Sequence, residues 1–344
     1  MKMVALFGWV VCSSAAVADE GEVSNRQELE VAGQFEFISP AVGIDRSFHL
    51  SRAIWASTLQ KGPASARLEL GAVRSGGNDS YIGVAGESIV MQVRIAEAQW
   101  RPDFIHAEAA AGLVEDLWVA EANAAWDFRS LSPSVGEYEG WMERSDLGMR
   151  AQLGLLNNRL QGGVSMTSGE GLANRERNAG QNAAAILRWV QPMGADGDDS
   201  LRLSVYGRNG SRGLSFARDH RVGGILSADV SGMNLGAGAL KAWGVDGDAE
   251  SQPMTVSIWA SGRSNWVVMP FLRLDRAVDP QVEASVFLRA LGGVNLAISK
   301  GVDGRFFYEE SRAQEGAQAI RGADALSFQR RIGVELHSKL TFNP

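Results

Sequence analysis

The sequence predicts an all-β chain of about sixteen antiparallel strands, closed into a transmembrane barrel. Three observations predict this class. Apolar and polar residues alternate along most of the chain, as strands with one greasy and one wet face require. After the first residues there is no run of roughly 18 apolar residues, so helical membrane spans are excluded. Finally, 45% hydrophobic residues coexist with 40 glycines at a mean hydropathy of -0.09. Alternating strands average to such a value, because each outward apolar residue is followed by an inward polar one.

The N-terminus reads as an export signal. Met1-Lys2 is basic, Val4 to Cys12 is apolar, and Ala16-Val17-Ala18 is an A-x-A cleavage site before Asp19. Residues 1–18 are therefore the expected signal peptide and residues 19–344 the barrel. An acylated Cys12 is the rival reading, but Val11 stands where a small residue is wanted. The mature chain would then hold no cysteine, which suits passage through an oxidising periplasm without disulfides. A net charge of -7 and a pI near 5.3 argue against a nucleic-acid partner.

The clearest hairpin lies between Ser88 and Gly112. Ile89, Met91, Val93 and Ile95 share one face, Gln92 and Arg94 the other, and Trp100-Arg101-Pro102-Asp103 reverses the chain. Ile95 to Trp100 with Pro102, then Ala109 to Gly112, resembles a hairpin of the phosphate-selective outer-membrane porins. Ser145-Asp146-Leu147-Gly148 and Thr167-Ser168-Gly169-Glu170-Gly171 add to that resemblance, which is clearest from about Ile89 to Trp189 and in the last strand. It implies an outer-membrane channel for small hydrophilic solutes, a lean towards anions or phosphate, a homotrimer in lipid, and no cofactor.

Taken in order, Leu29, Val31, Phe35 and Phe37 alternate with Glu28, Glu30, Gln34 and Glu36. Ile44 to Thr58 alternates poorly. Ala66, Leu68, Leu70 and Ala72 alternate with Arg67 and Glu69, and Ser75 to Glu87 reads as a loop. After the hairpin, Leu113 to Arg144 is irregular. Leu147 to Leu155, Leu160 to Thr167 and Ala183 to Trp189 resume the rhythm. So do Leu201 to Arg208, Arg221 to Val230, Asn234 to Val245, Met254 to Gly262 and Trp266 to Asp275. Val282 to Ala290 and Val294 to Ser299 follow, Gly301 to Ala325 reads as a loop, and Leu326 to Phe342 closes the chain on an aromatic residue.

Parity tests the count. Barrels of this kind carry short turns at one rim and long loops at the other. Short turns fall at Lys61, Arg101, Asn157, Gly232, Ser264 and Gly292, with a longer one near Pro192 to Asp199. This works only if Leu113 to Arg144 is a single loop, and Trp118 to Phe128, whose pattern also fits a strand or short helix, is placed within it. The count is then sixteen, which is even as required. By the porin resemblance, residues 113–144 form the constriction loop. Its candidate residues are Glu115, Asp116, Trp118, Glu121, Trp126, Asp127 and Arg129, with Trp118, Trp126 and Trp141 packing it against the wall.

On the inward face the candidates are Arg67, Arg94, Arg150, Arg159, Arg188, Arg202, Arg208, Arg289 and Arg331. Guanidiniums stay charged and present forked donors to phosphate or carboxylate. Pairing with Glu69, Glu108, Asp146, Glu283 and Glu335 is the alternative role. No G-x-S-x-G occurs, and His49, His106, His220 and His337 are scattered, so neither a hydrolase nor a metal site is expected. The acidic runs at 195–199 and 246–248 lack the closing glutamate of a calcium loop. A secreted β-sandwich binding protein and an outer-membrane hydrolase are the competing functions. The first would stay soluble without detergent, and the second would react with an active-site serine reagent.

Overall fold

A computed structural model describes residues 23–39, 46–75, 88–102, 105–138, 140–169, 171, 180–194, 199–212, 217–245, 250–262, 267–281, 286–313 and 328–342. The expected signal peptide, Glu283 and most of both acidic runs lie outside these residues. Sixteen strands close the barrel. The first eight are β1 (Ser24–Ser39), β2 (Arg46–Lys61), β3 (Ala64–Ser75), β4 (Ser88–Trp100), β5 (Ala107–Glu115), β6 (Ser145–Leu155), β7 (Leu160–Thr167) and β8 (Asn182–Met193). The second eight are β9 (Asp199–Asn209), β10 (His220–Val230), β11 (Met233–Trp243), β12 (Met254–Gly262), β13 (Val268–Val278), β14 (Val286–Ser299), β15 (Val302–Ala313) and β16 (Phe328–Phe342). Each strand pairs antiparallel with its sequence neighbour, and β1 closes on β16. A two-residue ribbon, Ser211–Arg212 with Ala217–Arg218, decorates the loop between β9 and β10.

Turns and loops alternate as the parity argument requires. Residues 62–63, 156–159, 231–232 and 300–301 are short connections, while residues 116–144 join β5 to β6 from the opposite rim. The two faces carry opposite chemistry. Along β13, Val268, Leu272 and Leu274 are exposed, whereas Phe271, Arg273 and Asp275 are buried inside. An isolated soluble fold would not leave such a belt in water. The belt extends around the wall through Val164, Leu187, Leu203, Val222, Ile258 and Ile332. Hydrocarbon is the solvent that fits it. Substituting Leu187→Arg should cost about 2–4 kcal/mol at mid-wall and reduce the folded fraction in a urea titration in lipid vesicles. An unchanged midpoint would show that this face does not meet lipid.

Four expectations need correction. The strand predicted to end at Ala290 runs on through Gly292-Gly293 to Ser299, and the turn lies at Lys300-Gly301, where Gly301 takes φ 77°. The supposed loop from Gly301 therefore contains β15. Its outer end, Glu310 and Arg312, is charged because the strand continues past the apolar belt. The total survived, because the misplaced turn replaced a real one. Leu113, Val114 and Glu115 belong to β5, so the inserted segment begins at Asp116. Within it, Leu117–Trp126 is helix α1 and Val135–Tyr138 a single turn, α2. Alanine-rich composition favours the helix, and its low amphipathicity hides it, since alanines such as Ala120 and Ala124 stand at its less buried positions in place of charged residues.

The fourth concerns Ile95. Met91 and Val93 are exposed to the outside, but Ile95 is fully buried in the lumen. Glu69 pairs with Ile95 and Leu70 with Val93, so Arg94 is the extra residue of a β-bulge. One inserted residue flips every side chain beyond it.

Candidate constriction and lumen

Residues 116–144 form a plug rather than a surface loop. Asp116 caps α1: its Oδ1 accepts the backbone N–H groups of Trp118 (2.8 Å) and Val119 (3.0 Å). Asp127 ends the helix in the left-handed conformation, φ 65°. Leu117, Trp118, Val119, Trp126, Phe128 and Leu131 pack against inward residues of β8 to β15, among them Ile186, Tyr206, Ile225, Leu240, Trp259 and Phe271. Phe128 stacks on Phe271 at 4.8 Å. Trp141 is buried in a second cluster with Ala242, Ala277 and Phe287. All three tryptophans thus hold the segment to the wall, each contributing on the order of 1.5–3 kcal/mol.

Buried polar groups fasten the same face. Arg188 of β8 pairs with Glu121, which also accepts from Ser204 Oγ at 2.7 Å. At the tip, Arg273 donates to the Pro133 carbonyl (3.0 Å), Arg289 to Ser132 Oγ (2.6 Å), and Ser130 to Glu335 (2.9 Å). At the base, the Asp116 N–H donates to the Arg144 carbonyl at 2.9 Å. Burial pushes the Asp116 carboxyl above the usual carboxylate range, against the pull of Arg208 and the helix N–H groups. Within the segment, Glu137 binds Arg129 and accepts from Asn123.

With its apolar side against β8–β15, the plug leaves the polar wall of β16 and β1–β6 facing the remaining lumen. There Arg52 pairs with Glu30 (2.7 Å), Arg67 with Glu69 (3.1 Å), Arg144 with Glu69 (2.6 Å), Arg150 with Glu108 (2.7 Å) and Arg331 with Glu36 (2.6 Å). Glu115 lies within ion-pair distance of both Arg67 and Arg144. Arg94 differs. Among the described residues it makes neither an ion pair nor a side-chain hydrogen bond, and its buried Nε has no partner. The bulge turns it into the lumen, where its stem lies across Gly71. Arg129 of the plug and Arg52 of β2 act on it with their own positive charge, and the carboxylates of Glu69 and Glu137 act in the opposite sense. A Cβ at Gly71 would sit 2.5 Å from Arg94 Cδ. Gly71→Ala should therefore displace the guanidinium without altering charge. In bilayer recordings it should weaken ion preference several-fold; an unaltered preference would mean that Arg94 does not rest there.

The predicted inward arginines do not form one ladder. Arg67, Arg94, Arg150 and Arg331 line the polar half. Arg202 lies inward near Arg188. Arg208 and Arg289 face inward but are covered by the plug: Arg208 pairs with Asp219 (2.8 Å), Arg289 with Glu309 (3.0 Å). Arg159 is a correction: it lies exposed in the β6–β7 turn, at the rim. Asp146, expected as an ion-pair partner, instead accepts from Ser168 Oγ and the Gly169 N–H. Of the loop candidates, Trp118, Glu121 and Trp126 are buried against the wall, while Asp127 is exposed. Sequence reasoning missed Arg52, Arg144 and Arg305. Arg52 sits where a register shift between β1 and β2 spoils the alternation, and Arg305 lies in the misread β15.

No protein-family model matches the chain, and no curated protein matches it by sequence. Solved structures do. The anion-selective porin from Comamonas acidovorans aligns at TM-score 0.65 and 12% identity, covering 93% of this chain and 100% of that one. OmpF of Salmonella typhi, in complex with daunomycin, gives 0.63 and 10%, covering 93% and 98%. OmpT of Vibrio cholerae in its trimer form gives 0.59 and 10%, covering 94% and 100%. The fold is thus the sixteen-strand porin barrel. The likeness is to that fold at large, coarser than the phosphate-selective type that the hairpin motifs resemble.

Proposed function

We propose that the protein is a bacterial outer-membrane diffusion channel that passes small hydrophilic solutes and prefers anions. Arg94 carries the reading. Among the described residues it is a guanidinium with no ion-pair partner, turned into the lumen by a bulge. Its uncompensated positive charge, held in place by the backbone, attracts anions and repels cations without a covalent step or energy input. The apolar outer belt supports a barrel set in lipid, and the short-turn rim faces the periplasm in this reading. An export signal at residues 1–18, expected from the sequence, would take the chain to the same compartment. Phosphate is one anion that suits the site; the arginines on the polar wall would hold it through forked donors. A trimer, the form in which the V. cholerae neighbour was solved, is the proposed assembly. The hydrolase and β-sandwich readings gain no support from this arrangement.

Purified protein in a planar bilayer should give stepwise ohmic conductance, with a zero-current potential of anion-selective sign in a salt gradient. A folded barrel that stays silent overturns the channel reading, and a cation-selective sign overturns the preference.

A further inference from the structure

Outside the lumen, one patch of the wall combines an apolar cleft with positive charge that exceeds the negative among the described residues. The four strands β14, β15, β16 and β1 present their outward residues in register. One row holds Val294, Phe306, Val334 and Phe35. The next row towards the long-loop rim holds Gly292, Tyr308, Ile332 and Phe37. Gly292 offers no side chain beside Tyr308, and the gap opens a cleft of about 450 Å³ lined almost wholly by apolar groups.

Directly above, the rows become charged. Glu310 is opposite Arg330, and Arg312 is opposite Phe328. Glu310 accepts from Tyr308 Oη (2.7 Å), Arg312 Nη2 (2.7 Å) and Arg330 Nε (3.0 Å). Both guanidiniums also flank the Phe328 ring, at 5.6 and 4.7 Å. One carboxylate thus serves two arginines, and Arg330 commits only its Nε to Glu310. The remaining N–H groups point away from the lumen, since both side chains are at least half exposed on the outer wall. About 7 Å separates successive rows of outward residues on one strand. The cations therefore lie one to two rows beyond Tyr308, at the level where aromatic girdles mark the edge of the hydrocarbon.

We propose that this patch is a binding site for a phosphorylated lipid, with its phosphate on Arg312 and Arg330 and an acyl chain in the cleft at Gly292. An anionic head complements the net positive charge, and guanidinium forks match phosphate oxygens. A larger apolar cleft on the outer face of β5–β9, between Trp100, Leu153 and Val205, has the apolar lining but no such cationic pair in its lining. The inference rests on the reading that this face lies in lipid.

Native mass spectrometry of the full-length barrel tests it, with dioleoyl phosphatidic acid and dioleoylglycerol as probes. The phosphatidic acid should be retained about tenfold more strongly than the neutral lipid. The double variant Arg312→Gln/Arg330→Gln, with both changes at exposed positions, should lose that advantage. Gly292→Leu should weaken both probes by filling the cleft. Equal retention of phosphatidic acid by wild type and double variant would overturn the proposal. So would a Phe306→Cys variant that crosslinks into a discrete oligomer, which would assign the cleft to a second copy. Conductance recorded on the same sample separates the two readings. A silent barrel with phosphate-dependent retention loses only the channel; a conducting barrel with phosphate-blind retention loses only the lipid site.

Discussion

Replacing Arg94 with glutamate is expected to turn the zero-current potential of the channel towards cations. Among the described residues Arg94 has no ion-pair partner, and its guanidinium is turned into the lumen by the bulge. Two unit charges about 10 Å apart interact by roughly 1.5 kcal/mol at an effective dielectric of about 20. Reversing one charge doubles that change, and salt screens part of it. The anion-to-cation permeability ratio should fall on the order of tenfold at about 0.1 M salt, and less at 1 M. Arg94→Lys should retain the wild-type sign, and Arg94→Gln should fall between. The bulge that aims the residue is a backbone feature, so each variant should fold. If Arg94→Glu left the ratio untouched, ions would be passing elsewhere, and Arg94 would be only a wall residue.

Excising the plug should have the larger effect on conductance. Replacing residues 118–139 by a short Gly/Ser linker removes most of the mass inside the barrel. The ends of the segment are already held together by the Asp116–Arg144 backbone hydrogen bond, so β5 and β6 need not move. Single-channel conductance should rise several-fold, because current scales with the open cross-section of a barrel wide enough for an aqueous channel. Ion preference should weaken too, since a wider lumen lets ions pass farther from the wall charges, where salt screens them. Stability should fall. Trp118, Trp126 and Phe128 each lose on the order of 1.5–3 kcal/mol of burial, an upper bound, and Ile225, Leu240 and Phe271 are left facing water. The barrel should still fold, because its strand ladder and lipid face are intact. Unchanged conductance would show that the segment does not border the ion path.

The strand rhythm was legible because each side chain in a barrel wall has one of two solvents. Where that rule held without interruption, as from Leu147 to Leu155 and from Ile332 to Phe342, the face of every residue followed from its parity. Where an extra residue entered the ladder, parity failed. Arg94 was expected inward and is inward, yet Ile95 moved to the same side. Gly292-Gly293 imitated a turn because small residues signal both a reversal and a close approach of two strands: a Cβ at Gly293 would lie 2.0 Å from the Phe306 carbonyl oxygen. Lys300-Gly301, the real turn, looked weaker. Helix α1 was obscured because alanines such as Ala120 and Ala124, not charged residues, occupy its less buried positions, which removes the 3.6-residue contrast that normally identifies a helix.

By itself the sequence determined the sixteen-strand count, the two-faced wall and the position of the inserted segment. These follow from local alternation and loop lengths, quantities written along the chain. The tertiary structure alone decided which arginines are spent and which are not. Arg208 and Arg289 are neutralised by acids and covered by the plug, Arg159 lies at the rim, and among the described residues Arg94 and Arg202 have no ion-pair partner. Ion pairs such as Arg144–Glu69 and Arg331–Glu36 join strands and segments far apart in the chain. Their formation depends on the closure of the barrel and on the wall against which the apolar face of the plug packs, and neither is encoded in any short stretch.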